Sequence, residues 1–191
     1  MKVGVLSLQG DVSEHVRMTG KAIEDLKLEG EVIKVKTLEG IEGLDALIIP
    51  GGESTTLGKL ITLYRLDKEI RDLADNGVPI MGTCAGLILL GGGGGYSLGL
   101  MDITVERNAF GRQRESFEVD LSIPALGDEL YHAVFIRAPV IKGVGEDVEA
   151  LAEYDGRTVM ARQDKLIAVA FHPESTMDTR VHKYFLGLLG K

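Results

Sequence analysis

Val78-Pro-Ile-Met-Gly-Thr-Cys84-Ala-Gly-Leu87 begins as an apolar strand pattern and breaks into Gly-Thr-Cys-Ala-Gly. The run reads as a strand, a tight turn and a helix, with the one cysteine of the chain at the turn. A sharp strand-to-helix turn lifts its central side chain out of the fold, and the small neighbours Gly82 and Gly86 tolerate the backbone this needs. The N–H groups that open the helix face the sulfur and favour thiolate over thiol. A lone cysteine can equally be a small buried hydrophobe. It is the setting that turns the reading toward a nucleophile.

Working outward from this run, strands and helices alternate. Val3–Leu8 reads as a strand, and Val12, Val16, Thr19, Ile23 and Leu26 give a helical stripe. Val32–Lys36 and Asp45–Pro50 are further strand patterns. A helix is expected from about Thr55, with Leu57, Leu60, Ile61, Tyr64, Ile70 and Leu73 near helical spacing, and another over Ala85–Leu90. Such alternation implies a parallel sheet covered on both faces, with its ligand site at the carboxyl ends of the strands. The second half is strand-rich: Asp102–Arg107, Ser116–Ile123, Ala133–Arg137, Glu149–Tyr154, Thr158–Arg162 and Leu166–Phe171, with a hairpin signal at Asp155-Gly156. Val181, Tyr184, Phe185, Leu188 and Leu189 mark a closing helix. No linker or repeat interrupts the chain, so residues 1–191 are expected to form a single domain, with Gly91–Gly95 a loop inside it.

A nucleophilic thiol needs a base, and Leu166-Ile-Ala-Val-Ala-Phe-His172-Pro-Glu174 supplies one at the end of a buried strand. Side chains two apart on an extended segment share a face, so Glu174 can accept a proton from one nitrogen of His172 and leave the other for the thiol. Pro173 marks the end or edge of the strand. His15 and His182 fall in helical patterns, and His132 has no acid two residues away; all three read as surface or packing residues.

Asp45-Ala-Leu-Ile-Ile-Pro50-Gly51-Gly52-Glu53-Ser54 is the third element. A strand runs into paired glycines, and Ser54 is placed to cap the helix that follows. Such a turn can aim backbone N–H groups at a developing oxyanion, or can be an ordinary strand-to-helix turn. Phosphate binding is disfavoured, because no Gly-Lys-Ser/Thr or Gly-x-Gly-x-x-Gly follows the strand.

Composition sets bounds on all of this. With 45% hydrophobic and 26% charged residues, the chain is an ordinary globule rather than a disordered segment. Its formal net charge of -8 argues against nucleic-acid binding, which relies on neutralising phosphates. A single cysteine cannot form an intramolecular disulfide and suits a cytoplasmic location. Ala85–Met101 is uncharged but too short and glycine-rich for a membrane span. The thiol chemistry needs no metal or other cofactor, and no Cys/His cluster points to one.

Gly-Thr-Cys84-Ala-Gly, Pro-Gly-Gly-Glu-Ser and Phe-His172-Pro-Glu174 together resemble the three motifs of class I (triad-type) glutamine amidotransferases. Val5-Leu-Ser-Leu-Gln-Gly-Asp-Val-Ser-Glu-His15, Glu106-Arg-Asn-Ala-Phe-Gly-Arg-Gln113 and Val134-Phe-Ile-Arg-Ala-Pro139 narrow the resemblance to the glutaminase branch that serves pyridoxal phosphate synthase. Gly91–Gly95 departs from the more mixed, polar loop expected there. The resemblance implies a flavodoxin-like three-layer α/β fold with a central, mostly parallel sheet. It also implies hydrolysis of L-glutamine through a thioester on Cys84, with His172 and Glu174 completing a triad. Gly52 and Ala85 would donate to the oxyanion, and Gly52, Glu53, Ser54, Arg107, Ile136 and Arg137 would contact glutamine. The implied partner is a barrel-shaped pyridoxal 5'-phosphate synthase subunit that uses the ammonia. Three readings stay open beside this one: a glutaminase serving another pathway such as histidine synthesis, a cysteine hydrolase of similar fold, and a binding scaffold without chemistry. Glutamine assayed against peptide substrates, and labelling by a glutamine-like electrophile, discriminate among them.

Overall fold

The computed structural model describes residues 1–92, 95–107, 109 and 116–190; Gly93 and Gly94 of the glycine run, and Asn108 and residues 110–113 of the Glu106–Gln113 motif, lie outside them. In chain order the elements are β1 (Lys2–Leu6), α1 (Val12–Asp25), β2 (Glu31–Val35), α2 (Leu38–Ile41), β3 (Ala46–Ile49), α3 (Ser54–Leu63), α4 (Leu66–Asp75), β4 (Ile80–Thr83) and α5 (Ala85–Leu90). There follow β5 (Ile103–Glu106), β6 (Ser116–Leu121), β7 (Tyr131–Ile136), β8 (Val140–Val144), β9 (Glu149–Tyr154), β10 (Arg157–Gln163), β11 (Leu166–Val169) and α6 (Arg180–Leu186).

The main sheet has the order β2-β1-β3-β4-β11-β10-β8-β5, with β9 branching from β10. From β2 to β11 every pairing is parallel; beyond β11 the strands turn antiparallel. β3 and β4 are buried along their whole length. That is why they read as unbroken apolar runs: helices cover both faces of a parallel sheet. α1 packs against α6, while α3 packs against α4 and α5. β6 and β7 form a separate two-stranded ribbon, and their alternating burial reflects one covered face. The α/β architecture with a parallel centre is the one expected from the alternating pattern.

Several boundaries differ from the sequence reading. The helix expected from Thr55 through Leu73 is two helices, broken where Arg65 adopts φ 59. β8 was not anticipated, because Lys142-Gly143 interrupts its apolar pattern. β11 ends at Val169, short of the expected Phe171. The Asp155-Gly156 turn joins β9 to β10 with both residues at positive φ, 52 and 68 degrees, the geometry a tight hairpin requires. Among the described residues no helix is long and apolar enough to cross a membrane.

The elbow itself depends on two glycines. A Cβ on Gly86 would lie 2.1 Å from the Ile49 carbonyl oxygen, and one on Gly82 would lie 2.6 Å from Gly86 backbone. α5 therefore rests directly on the sheet, with no room for a methyl group against backbone atoms. Gly86→Ala is expected to destabilise the protein by about 1–3 kcal/mol through overpacking. A urea midpoint equal to that of the unaltered protein would contradict this.

Candidate active site

β1, β3, β4 and β11 are sheet neighbours running in one direction, so their carboxyl ends emerge side by side, roughly 4.8 Å apart from strand to strand. The segments leaving those ends carry Gln9–Asp11, Gly51–Ser54, Cys84 and His172–Glu174 respectively. Residues far apart in the chain thus meet because the strand order brings their loops together.

Cys84 stands between β4 and α5 with φ 47 and ψ -99, an unusual conformation for a non-glycine residue. Its backbone N–H donates to the Val169 carbonyl at 2.8 Å, which ties the elbow to the end of β11. The residue is 7% exposed. The N–H of Ala85 opens α5 and has no partner within the helix.

His172 Nδ1 donates to Glu174 Oε1 at 2.6 Å, and Asp11 Oδ2 lies 3.4 Å from the same nitrogen. Both members of the His-Glu pair are buried. Nε2, the other ring nitrogen, is buried without a hydrogen-bond partner among the described residues. Burial alone would lower the pKa of His172, but Asp11, Cys84 and Glu174 outweigh it and hold the pKa well above its ordinary value. Burial alone would raise Glu174, yet His15 and His172 hold its carboxyl well below the usual carboxylate range. Among the described residues Asp11, His172 and Glu174 are also the one set with ligand atoms close enough for a cation, within 4.8 Å. Here, however, Nδ1 points its hydrogen at the carboxylates, the opposite of ligation.

The cleft beside Cys84 has a volume of about 490 Å³. It is lined by Gly52, Glu53, Ser54, Cys84, Ala85, Arg107, Ile136, Arg137 and His172, together with Asp11 and Ile88. All the residues singled out from sequence line it except Glu174, which sits behind His172. Asp11 was not anticipated, although it lies in the Gln-Gly-Asp run that leaves β1.

The glycine loop interlocks with that run. Gly51 accepts a hydrogen bond from the Asp11 N–H at 3.3 Å, and Gln9 Oε1 accepts one from the Glu53 N–H at 2.8 Å. Gly52 has φ 144, and a Cβ there would lie 2.4 Å from Gln9 Oε1. The helix cap differs from the expected Ser54. Glu53 caps α3, its carboxylate accepting from the Thr55 and Thr56 N–H groups at 2.9 and 2.7 Å and from the Thr56 hydroxyl at 2.6 Å.

These bonds, the Thr56 hydroxyl first, pull the Glu53 pKa down from 4.5 to about 2. A carboxyl with a depressed folded pKa stabilises above its unfolded value and loses that contribution as pH falls through the folded one. Glu53→Gln is therefore expected to unfold at lower urea than the unaltered protein at neutral pH, with the gap closing below about pH 4.5. A gap of constant size across that range would contradict it.

The outermost groups of the site are two histidines that the sequence reading set aside. His15 and His182 are fully buried, and His15 Nε2 lies 3.2 Å from Glu174 Oε2. Their helical spacing looks like packing, and only the fold shows what they pack against.

Known proteins resemble the chain along its whole length. A Moorella thermoacetica protein described as "Pyridoxal 5'-phosphate synthase subunit PdxT" is 50% identical over 194 residues, covering 100% of both chains. One of the same description from Geobacillus thermodenitrificans is 53% identical, covering 99% of this chain and 95% of its own. A crystal structure of a glutamine amidotransferase superposes with a TM-score of 0.87 at 48% identity, covering 99% of each chain. The sequence model of one family matches residues 5–190, from the first strand past the last helix, and on that match the chain belongs to the SNO glutamine amidotransferase family.

Proposed function

We propose that this chain is the glutaminase subunit of a pyridoxal 5'-phosphate synthase, a single cytoplasmic domain that hydrolyses L-glutamine through a thioester on Cys84. The observation that carries the reading is an elbow thiol sharing one cleft with a histidine that is backed by a buried glutamate. The full-length likeness to proteins bearing that subunit's name supports the pathway.

The Cys84 sulfur anion attacks the side-chain amide carbon of glutamine. The N–H groups of Gly52 and Ala85 receive the charge that develops on oxygen. His172 gives its Nε2 proton to the departing nitrogen, ammonia leaves and the thioester remains. His172, now neutral, takes a proton from water; the hydroxide adds to the thioester, the sulfur leaves and glutamate is released. Glu174 orients the ring and stabilises its charged form. Arg107 and Arg137 supply guanidinium groups suited to the free carboxylate of the substrate, beside Ser54 and Ile136. Glu53 contributes through its backbone, since its carboxylate is committed to capping α3.

The partner is the barrel-shaped synthase, which uses the ammonia. A peptide between two glycines rotates at little cost, so the Gly51-Gly52 peptide is the natural control point, and the Asp11 N–H holds its carbonyl in the free chain. The isolated chain is expected to be weakly active, and synthase docking to raise glutamate production about 10²–10³-fold by supplying one oxyanion donor. The test titrates the chain with purified synthase at saturating glutamine. An unchanged rate, with no complex by sedimentation, would reject both the switch and the pathway.

A further inference from the structure

Behind the His172–Glu174 pair lies a buried polar chain that the thioester chemistry does not use. It forms where α1 packs against α6 and against the Pro173–Ser175 turn that carries Glu174. His15 Nε2 is 3.2 Å from Glu174 Oε2 and 2.9 Å from Thr83 Oγ1, and His15 Nδ1 is 3.2 Å from His182 Nε2. Two imidazoles meeting nitrogen to nitrogen can share only one hydrogen in that contact, so one ring donates and the other accepts.

The carboxylate decides the direction. A bare Nε2 lone pair would face an anionic oxygen 3.2 Å away inside the protein, whereas an N–H there donates to the Thr83 hydroxyl and sets its positive end beside that oxygen. Nε2 therefore carries the hydrogen, and in the neutral ring Nδ1 is then the acceptor for the Nε2–H of His182. Burial, the largest cause, pushes His182 down to about 3, so it serves as a neutral donor.

We propose that His15, held in one tautomer by His182, is a positioning residue for the reaction: it fixes the second oxygen of Glu174 so that the first stays aligned on His172. The inference rests on the triad reading above. Its logic is that Glu174 is fully buried and its Oε2 has no aligned hydrogen bond among the described residues. A buried carboxylate oxygen left without a nearby N–H costs free energy, which the group relieves by holding a proton or by turning. The groups that face this pair are Asp11 and His15 from the α1 side, Thr83 and Cys84 from β4 and its elbow, and His182 from α6. Without His15, Asp11 becomes the competing acceptor for His172 Nδ1, and the ring can rotate away from the sulfur.

The test measures glutamine hydrolysis in the synthase complex for His15→Leu, which removes the donor, and His15→Gln, whose amide N–H reaches a similar point. His15→Leu is expected to lower kcat about 10–100-fold, the usual scale for an outer-shell partner, with KM within about twofold. The acid limb of its pH–rate profile should move to higher pH, because Glu174 loses one of the groups that keep it ionised. His15→Gln should recover most of the lost rate. Unaltered kcat and pH profile in a folded His15→Leu protein overturn the proposal. So does an equal loss in both variants with an unmoved profile, which would mark a purely structural role. Nitrogen NMR of the unaltered protein supplies a readout free of any folding defect: hydrogen on Nε2 of His15 is expected, and the Nδ1–H tautomer overturns the assignment. Cys84→Ala is assayed in parallel, and hydrolysis persisting there would count against the triad itself rather than against His15 alone.

Discussion

Cys84→Ala is expected to lower glutamate release from L-glutamine by at least about 10⁴-fold while leaving the fold and glutamine binding in place. Covalent chemistry has no substitute in this chain, which contains no second thiol. The substitution should be benign to the fold, because alanine meets the same constraint at φ 47 as cysteine does and removes only one atom. A glutamine-like electrophile should add once to the unaltered protein, at Cys84, and not at all to the variant. Appreciable glutamate release by Cys84→Ala would sink the thioester mechanism.

The next largest effect is expected at His172. His172→Asn removes the group proposed to carry protons in both half-reactions, and general acid–base assistance is typically worth about 10²–10⁴ in rate. Glu174→Gln should cost less, since an amide oxygen can still accept from Nδ1 at the position Oε1 now holds, 2.6 Å away. The comparison is of kcat for the two folded variants with the synthase present. Equal, small losses would point to a different base.

What was legible in the sequence was whatever a strand end displays locally. Cys84, Gly51-Gly52 and His172 each follow an apolar run directly, so their placement at one edge of a parallel sheet could be read from the alternation of elements. What was illegible depended on packing between elements. His15 occupies a place on the α1 stripe where an apolar residue would serve the helix equally well, and Val16 and Leu26, which the stripe included, turn out to be only partly covered. The cap of α3 was misassigned because Ser54 follows the usual preference, while the longer Glu53 side chain reaches two N–H groups at once. The break of the helix between Tyr64 and Leu66 was illegible because no glycine or proline announces the left-handed residue at Arg65.

The separate β6–β7 ribbon holds the cleft and the base at once. Its strand β7 ends at Ile136, beside Arg137 in the cleft wall, and its Val134 carbonyl accepts the backbone N–H of His172 at 2.8 Å. Phe171, the residue before His172, lies with its ring 5.5 Å from Tyr131 and 5.7 Å from Phe135 on the inner side of the same ribbon. The ribbon thus ties the Arg137 wall of the cleft on one arm to the backbone of His172 on the other. Under the proposed function, a grip on the α-carboxylate, made several bonds from the scissile amide, would pass through this ribbon into alignment of the imidazole, so that recognition is expressed as speed. A glutamine analogue lacking that carboxylate should accordingly turn over with a depressed kcat even at saturation, and one that merely binds more weakly would show the ribbon to be slack.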